Sequence, residues 1–230
     1  SGLHPSRTGA KSNPNGGRSW RRYIGNAVTL PKHVSAQGWK SVGIGKNFHN
    51  GDATEFDRYI ARGKEPKPIP KTVRNINASG RWGVAAVPTF EMPDYLSVSQ
   101  GIHILESNRD SLFLSLGIYR PHVPWVVPQE YFDRHPLESL VLPERRVDDL
   151  DDLPERLKLM AHNEGKFGPG YHRKAVAAGH DKSMVQAYLA CVSFADEQVG
   201  RILDAWYASP HAQTGYVVLW SDHGYQLSEK

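Results

Sequence analysis

Residues 219–224 read Leu219-Trp220-Ser221-Asp222-His223-Gly224, and this stretch is the strongest indication of the fold. It closes an apolar, β-branched run that begins at Tyr216. Parallel α/β enzymes place the polar side chains of their binding sites in this way, at the carboxyl end of a buried strand. The run therefore predicts a final strand that starts near residue 215. A strand that runs into a turn, with Asp222 as an N-cap and Gly224 giving backbone freedom, explains the same residues.

Two earlier segments follow the same pattern. Residues 40–45 read as a short buried strand followed at once by Lys46 and His49, and an apolar strand over 111–119 leads to His122. Hydrophobic spacing, glycine caps and prolines predict helices over residues 28–38, 95–107, 128–135 and 181–208. Residues 1–26, 62–94 and 137–179 read as loop-rich. This alternation predicts an α/β fold: a three-layer, mostly parallel sheet with helices on both faces.

Length and composition bound the possibilities. The 230 residues are enough for one α/β domain with a sizeable core, and 39% hydrophobic with 23% charged residues indicates a globular chain. No run is long enough to span a membrane, and no apolar leader opens the chain. The opening Ser1-Gly2 is not an initiator methionine. We therefore expect the chain to begin and end inside a larger reading frame.

Two further features exclude or weaken other functions. Cys191 is the only cysteine, which excludes an internal disulfide and a cysteine-rich zinc site, and its apolar helical surroundings predict a buried hydrophobe. The net charge of +4 is modest. Arg18, Arg21 and Arg22 beside Trp20 form the densest basic cluster, which fits a phosphate backbone or a sulfated glycan but is more often a solvated surface.

The polar residues that follow the predicted strands form a candidate site. Because parallel strands end at one edge of a sheet, Lys46, His49, His122, Asp222 and His223 are expected to converge. Cationic and hydrogen-bonding groups beside a carboxylate suit a tetrahedral anion held partly by a metal. Each residue also has a simpler explanation, such as a surface charge, a loop cap or a turn between prolines.

The ordered motifs resemble the sulfatases of the alkaline phosphatase superfamily, most of all the iduronate-2-sulfatase-type branch. The motifs are Gly43-Ile44-Gly45-Lys46-Asn47-Phe48-His49, Tyr119-Arg120-Pro121-His122-Val123-Pro124 and Ser221-Asp222-His223-Gly224. The helix over residues 188–203 is similar to the family helix that precedes the metal-binding strand. The resemblance covers nearly the whole chain and places it in one catalytic domain.

The beginning of the chain allows two alignments with the family signature. Pro5-Ser6-Arg7 resembles the signature's Pro-Ser-Arg, which would put Leu3 at the nucleophile position. Residues 1–9 fit the tail of the signature better, and we take Pro5-Ser6-Arg7 as a decoy. No nucleophile is then expected within this chain; the formylglycine would lie upstream of Ser1.

The resemblance implies hydrolysis of a sulfate ester, on a sulfated sugar or another small ester. Asp222 would bind a divalent cation, usually Ca²⁺ in this family, with His223 as a ligand or near neighbour. Lys46 would neutralise sulfate oxygens, His49 would orient the formylglycine, and His122 would donate to the ester oxygen. Asp148, Asp149, Asp151 and Asp152 are not assigned to the metal, and Lys230 is left unassigned. No nucleic-acid partner is expected, and the location would be secreted, periplasmic or lysosome-like.

Three alternatives remain open. A phosphate or phosphonate ester hydrolase of the same superfamily would use the same groups. A non-catalytic glycan-binding protein would follow from Leu3 at the nucleophile position, and a basic nucleic-acid binder lacks a recognised module. The 230 residues by themselves are expected to be inactive, because the nucleophile and half of the metal site would be missing. They are also expected to be poorly soluble, because a sheet edge would be unfilled.

Overall fold

The computed structural model describes residues 2–9, 21–49, 53–75, 81–144, 146, 148–161 and 171–225. Its helices and strands, in chain order, are α1 Pro5–Thr8, α2 Arg21–Ile24, α3 Leu30–Ala36, β1 Lys40–Gly45, β2 Arg58–Ile60, β3 Arg74–Asn75, β4 Arg81–Val84, α4 Pro93–Ser107, β5 Leu112–Gly117, β6 Trp125–Val127, α5 Gln129–Asp133, α6 Glu155–Ala161, α7 Tyr171–Ala177 and α8 Asp181–Ala208. Short 3₁₀ turns cover Ala53–Glu55, Pro70–Thr72, Thr89–Glu91, Leu137–Ser139 and Pro210–Gln213.

The chain divides into two compact units. The first unit comprises Ser1–Glu65, Pro93–Tyr119 and Gln198–Gly215, and the second comprises Pro66–Met92, Arg120–Glu197 and Tyr216–Lys230. Helix α8 contributes residues to both units.

The first unit is built on a parallel three-stranded sheet in the order β2-β1-β5. The central strand β1 is buried from its second residue to its last, as expected for a parallel strand that is covered on both faces. Val42 and Ile44 of β1 pack with Ile104 of α4 in the hydrophobic core. β1 and β5 pair in register up to Gly45 and Gly117, so the two strands end at the same edge.

Helix α4 is fixed in the first unit by charged and polar contacts. Asp94, at its start, is fully buried and accepts a hydrogen bond from Arg62 Nε at 2.8 Å. The Arg201 guanidinium carbon lies 3.6 Å from the centroid of the Tyr95 ring, and its Nη2 donates to Ser99 at 2.9 Å. The buried carboxylate therefore has a paired cation, which offsets the cost of its burial.

The second unit contains a three-stranded sheet that the sequence analysis did not predict. Its order is β3-β4-β6, with β4 and β6 parallel and Trp82 opposite Trp125. In the same unit, the ring of Tyr131 in α5 contacts the ring of Phe194 in α8 edge to face, with ring centroids 5.2 Å apart. Burial raises the pKa of Tyr131 to about 12, and its hydroxyl donates to Glu197 at 2.8 Å.

The predicted final strand is wrong. Residues 215–225 have no regular secondary structure, and Tyr216 and Trp220 are 94% and 74% exposed. A strand is stable when a neighbouring strand forms hydrogen bonds with its N–H and C=O groups. No strand among the described residues pairs with this run. The strand predicted over 40–45 and the helix predicted over 181–208 are confirmed, as is the buried Cys191. Gly38, which follows α3, has a φ of +84°. Within the described ranges, no helix is long and apolar enough to cross a bilayer.

Candidate active site

Strand β1 ends where its backbone nearly touches that of β5. The Lys46 N–H donates to the Gly117 carbonyl at 2.9 Å. A Cβ on Gly117 would lie 2.0 Å from the Lys46 oxygen, and one on Gly45, where φ is +74°, would lie 2.3 Å from the Gly117 oxygen. No larger residue fits at these separations, so the two glycines determine where Lys46 leaves the sheet.

The turn that carries Lys46 is held by its own hydrogen bonds. Lys46 Nζ donates to the Phe48 carbonyl at 2.8 Å, and the Tyr59 hydroxyl donates to the Gly45 carbonyl at 2.7 Å. Burial raises the pKa of Tyr59, which keeps the hydroxyl protonated and able to donate. The half-buried ammonium of Lys46 therefore stands on a fixed turn at the carboxyl edge of a parallel sheet. An ammonium in this position acts as a point charge toward an anion.

His49 lies at the far end of the same loop and is exposed. The neighbouring Phe48 ring lies 5.8 Å from the Phe56 ring, between centroids, which anchors the loop to the first unit. Lys46 and His49 are thus presented by one short loop, and residues 50–52 lie outside the described part of the chain.

His122 lies in a tight turn over residues 120–126 of the second unit. The peptide bonds before Pro121 and Pro124 are both cis. Arg120 is 3% exposed and donates to the Val126 carbonyl from Nε at 3.1 Å and from Nη2 at 2.9 Å, which closes the turn. The exposed His122 places Nδ1 2.7 Å from the Val123 carbonyl. Because a carbonyl only accepts, Nδ1 carries a proton, and in the imidazolium form Nε2 carries the second.

Asp222 and His223 lie on the irregular segment after residue 215. Their side chains are 93% and 87% exposed, and Asp222 Oδ2 lies 3.7 Å from His223 Nε2. The Ser221 hydroxyl donates to the His223 carbonyl at 2.5 Å, which forms a small local turn. Both side chains are therefore open to solvent on a turn of the second unit.

The donor set fits one part of a calcium site. Calcium takes about six to eight oxygen ligands and has little preference for imidazole nitrogen. Asp222 offers an oxygen donor of this kind. In the part of the chain that the structure describes, no three His, Cys, Asp or Glu side chains gather as a metal site. Asp222 therefore suits a single ligand position, and the described residues do not complete a coordination shell.

The sequence of this chain matches the model of the sulfatase family over residues 2–230. The chain belongs to the sulfatase family. It is 40% identical over 220 residues to a sulfatase of Formosa agariphila, covering 88% of this chain and 43% of that protein. It is 29% identical over 239 residues to iduronate 2-sulfatase of Mus musculus, covering 91% of this chain and 42% of that protein. The chain thus spans less than half the length of these relatives.

The fold is also similar to a solved structure, the phosphonate monoester hydrolase of Agrobacterium radiobacter. The TM-score is 0.54 at 15% identity, over 78% of this chain and 44% of that one. At this identity the likeness concerns the fold alone, which is α/β and alkaline phosphatase-like. The fold class predicted from the sequence is confirmed.

In this sulfatase-family chain, the predicted site residues belong to both units. Lys46 and His49 lie in the first unit, and His122, Asp222 and His223 lie in the second. Within the second unit, the turn of His122 and the segment of Asp222 both contact Trp125, a residue to which the sequence analysis gave no role. Its signal in the sequence is its place directly after the second proline of the His122 motif.

The structure also describes Arg21 of the basic cluster, Asp148 of the acidic run and Leu3 near the start of the chain. Arg21 donates to Glu55, which is 2% exposed, so this member of the basic cluster is bound within the first unit. Asp148 pairs with Arg146 at 3.1 Å on an exposed loop, as expected for a solvated acidic run. Leu3 is 38% exposed just before α1. Arg18, Trp20 and Lys230 lie outside the described residues.

Proposed function

We propose that the protein to which this chain belongs hydrolyses a sulfate ester of a sugar. The observation that carries the proposal is the family match over residues 2–230, which includes the fixed Lys46 turn at the sheet edge. The similarity to iduronate 2-sulfatase favours a sulfated sugar over other esters. The 230 residues are proposed to form part of a single catalytic domain, acting outside the cytoplasm or in a lysosome-like compartment.

The chain's own residues have distinct roles in this proposal. Lys46 balances the negative charge of the sulfate oxygens, which grows as the sulfur–oxygen bond breaks. His122, as imidazolium, donates the Nε2 proton to the ester oxygen as the alcohol leaves, and a water proton restores it. His49 orients the nucleophile by hydrogen bonding. In the balanced reaction, an ester and water give the alcohol, sulfate and one proton.

Two groups from outside these residues complete the proposed chemistry. A formylglycine upstream of Ser1 would supply the nucleophile, and a divalent cation, Ca²⁺ by family resemblance, would withdraw charge from the sulfate oxygens. Asp222 would hold the cation with one carboxylate oxygen, and His223 would lie beside it as a weak ligand or a hydrogen-bond partner of sulfate.

The first test compares 4-nitrophenyl sulfate with 4-nitrophenyl phosphate as substrates of the full-length protein. We expect turnover of the sulfate, and we expect Lys46→Ala and His122→Ala each to lower kcat by about 100-fold or more. Tyr207→Ala, at a side chain that is 73% exposed, is the control and should leave kcat unchanged. Asp222→Ala should lower both turnover and bound calcium, measured by elemental analysis.

The outcomes separate the candidate functions. Preference for the phosphate would establish a phosphate or phosphonate ester hydrolase instead. Lys46 and His122 suit that activity equally, because both esters are tetrahedral anions. Absence of turnover on either ester, with binding of sulfated sugars retained, would establish the non-catalytic glycan-binding protein. Unchanged activity and metal content in Asp222→Ala would refute the metal assignment.

A further inference from the structure

The turn that carries His122 is tied to the second unit through Trp125. The Trp125 side chain is buried, at 5% exposure, and its indole N–H donates to the Pro121 carbonyl at 2.8 Å. Pro121 directly precedes His122. An indole has one N–H and no acceptor, and a buried one needs a partner. This bond therefore fixes the backbone directly before His122.

The same indole is one of three rings in mutual contact. The Trp125 ring lies 5.7 Å from Tyr188 and 5.5 Å from Tyr225, and Tyr188 lies 5.6 Å from Tyr225, between centroids. The interplanar angles are 77°, 85° and 73°, so every pair meets edge to face. This is a preferred arrangement for aromatic rings, and it stabilises each pair beyond the effect of its buried area.

Tyr225 brings this cluster to the Asp222 segment. It follows Gly224, two positions after His223. The run from Tyr216 to Trp220 is exposed, with Leu219 at 73%. Tyr225 is less exposed, at 43%, and its ring packs on the two other rings. Tyr188 belongs to the long helix α8, so the cluster has a rigid support. Tyr225 thereby attaches the irregular segment to the cluster three residues after Asp222, the proposed metal ligand.

We propose that Trp125 and Tyr225 are positioning residues, which hold the His122 turn and the Asp222–His223 turn on one aromatic cluster with Tyr188. The inference rests on the proposed sulfatase function and names the residues that fix two segments of the proposed site. Neither Trp125 nor Tyr225 touches substrate in this proposal. Both act through the backbone that presents His122, Asp222 and His223.

A cluster that only stabilises the fold would lower the melting temperature without changing the chemistry. Positioning has two specific consequences. Loss of the Tyr225 ring should weaken calcium binding, because residues that orient a ligand typically contribute about 10- to 100-fold in metal affinity. Loss of the Trp125 N–H should impair proton donation by His122, which matters most when the leaving alcohol is a poor leaving group.

The experiment uses the full-length protein and four variants: Tyr225→Ala, Tyr225→Phe, Trp125→Phe and the control Tyr207→Ala. Calcium Kd is measured by titration calorimetry, and kcat and KM are measured with 4-nitrophenyl sulfate and with an alkyl sulfate. Tyr225→Ala should raise the calcium Kd by about tenfold or more, and Tyr225→Phe, which keeps the ring, should restore it. Trp125→Phe should lower kcat on the alkyl sulfate at least about tenfold more than on the nitrophenyl ester.

Two results would overturn the inference. One is a calcium Kd in Tyr225→Ala within about twofold of wild type, and the other is an equal loss of kcat on both esters in Trp125→Phe. If Tyr225→Ala does not fold, Tyr225→Leu keeps apolar volume without the ring and is read in the same way. If the wild type hydrolyses no sulfate ester, the proposed function fails, while the calcium titration still decides the role of Tyr225.

Discussion

At the scale of single residues, Gly45 and Gly117 leave no room for a side chain between two strand ends. They allow two parallel strands to end so close together that the Lys46 N–H reaches the Gly117 carbonyl. A catalytic lysine on a flexible loop would lose rotamer freedom on binding an anion. Here the sheet already fixes the backbone direction at Lys46, which under the proposed function would orient the ammonium before substrate binds.

Gly117→Ala tests this close approach. The added Cβ would meet backbone atoms of Lys46, which cannot move aside as a side-chain tip can. We expect the free energy of unfolding to fall by about 1–3 kcal/mol, the usual cost of overpacking. Urea denaturation monitored by circular dichroism gives the value.

Gly200→Ala is the matched control. Gly200 lies inside α8, and a Cβ there meets nothing within 4 Å. The same substitution should stabilise this position by about 0.5–1 kcal/mol, because alanine is the better helix former. Equal effects of the two substitutions would contradict the steric account of Gly117.

At the scale of elements, α3 is joined to β1 by the carboxylate of Asp57, which lies directly before β2. Asp57 accepts hydrogen bonds from the Ser41 backbone N–H at 2.8 Å, the Ser35 hydroxyl at 2.9 Å and the Ser41 hydroxyl at 3.0 Å. The Ser41 backbone bond first, and then the Ser35 bond, lower the pKa of Asp57 below its usual value. A charged acceptor thus fixes the helix that precedes the central strand.

The lowered pKa of Asp57 predicts a pH dependence. A carboxyl whose pKa is lower in the folded state stabilises that state above its unfolded pKa, about 3.9, and loses the effect as pH falls through the folded pKa. Asp57→Asn should therefore lower stability by about 1 kcal/mol or less near neutral pH, since the group is exposed, and by much less below about pH 3.

Urea unfolding of the wild type and of Asp57→Asn measures this difference. The series runs from about pH 2.5 to about pH 7 in steps of about half a pH unit. Asp204→Asn, on the exposed face of α8, is the control and should change little at any pH. A difference that stays constant as the solution is acidified would show that Asp57 acts by shape and not by charge.

Some of these elements can be predicted from the sequence, and others cannot. Long or continuous patterns predicted β1 and α8 correctly, because buried runs and 3.6-residue periodicity are local properties. β4 and β6 are only four and three residues long and pair across distant sequence, so no local pattern reveals them. The apolar run at 216–220 reads as a strand, but pairing depends on a neighbour that local sequence does not specify.

The same distinction applies to the candidate site. Lys46, His49, His122, Asp222 and His223 are predicted because each follows a strand-like run with a chemically distinctive side chain, and this assignment stays a prediction. Their supports were not found. Trp125, Tyr188 and Tyr225 are far apart in sequence, and their contacts depend on how α8 and the turn at 120–126 pack. Aromatic residues that flank polar motifs are the sequence signal for such supports.

At the scale of the whole molecule, α8 is the element that both compact units share. Residues 181–197 belong to the second unit and residues 198–208 to the first, within one unbroken helix of 28 residues. A helix propagates its hydrogen bonds cooperatively, so unfolding one half removes support from the other. We therefore expect the two units to unfold together.

Phe194→Ala tests this cooperativity. Phe194 is fully buried and meets Tyr131 edge to face, so its truncation should cost about 3–5 kcal/mol. Amide hydrogen exchange then reports where protection is lost. The loss should extend beyond the second unit to residues 198–208 and to β1. Phe194→Leu, a smaller change, keeps the test available if the alanine variant does not fold, and Tyr207→Ala is the control. Loss confined to residues 181–197 and their neighbours would mean that the units unfold separately, because a shared helix that frays at its middle no longer couples them.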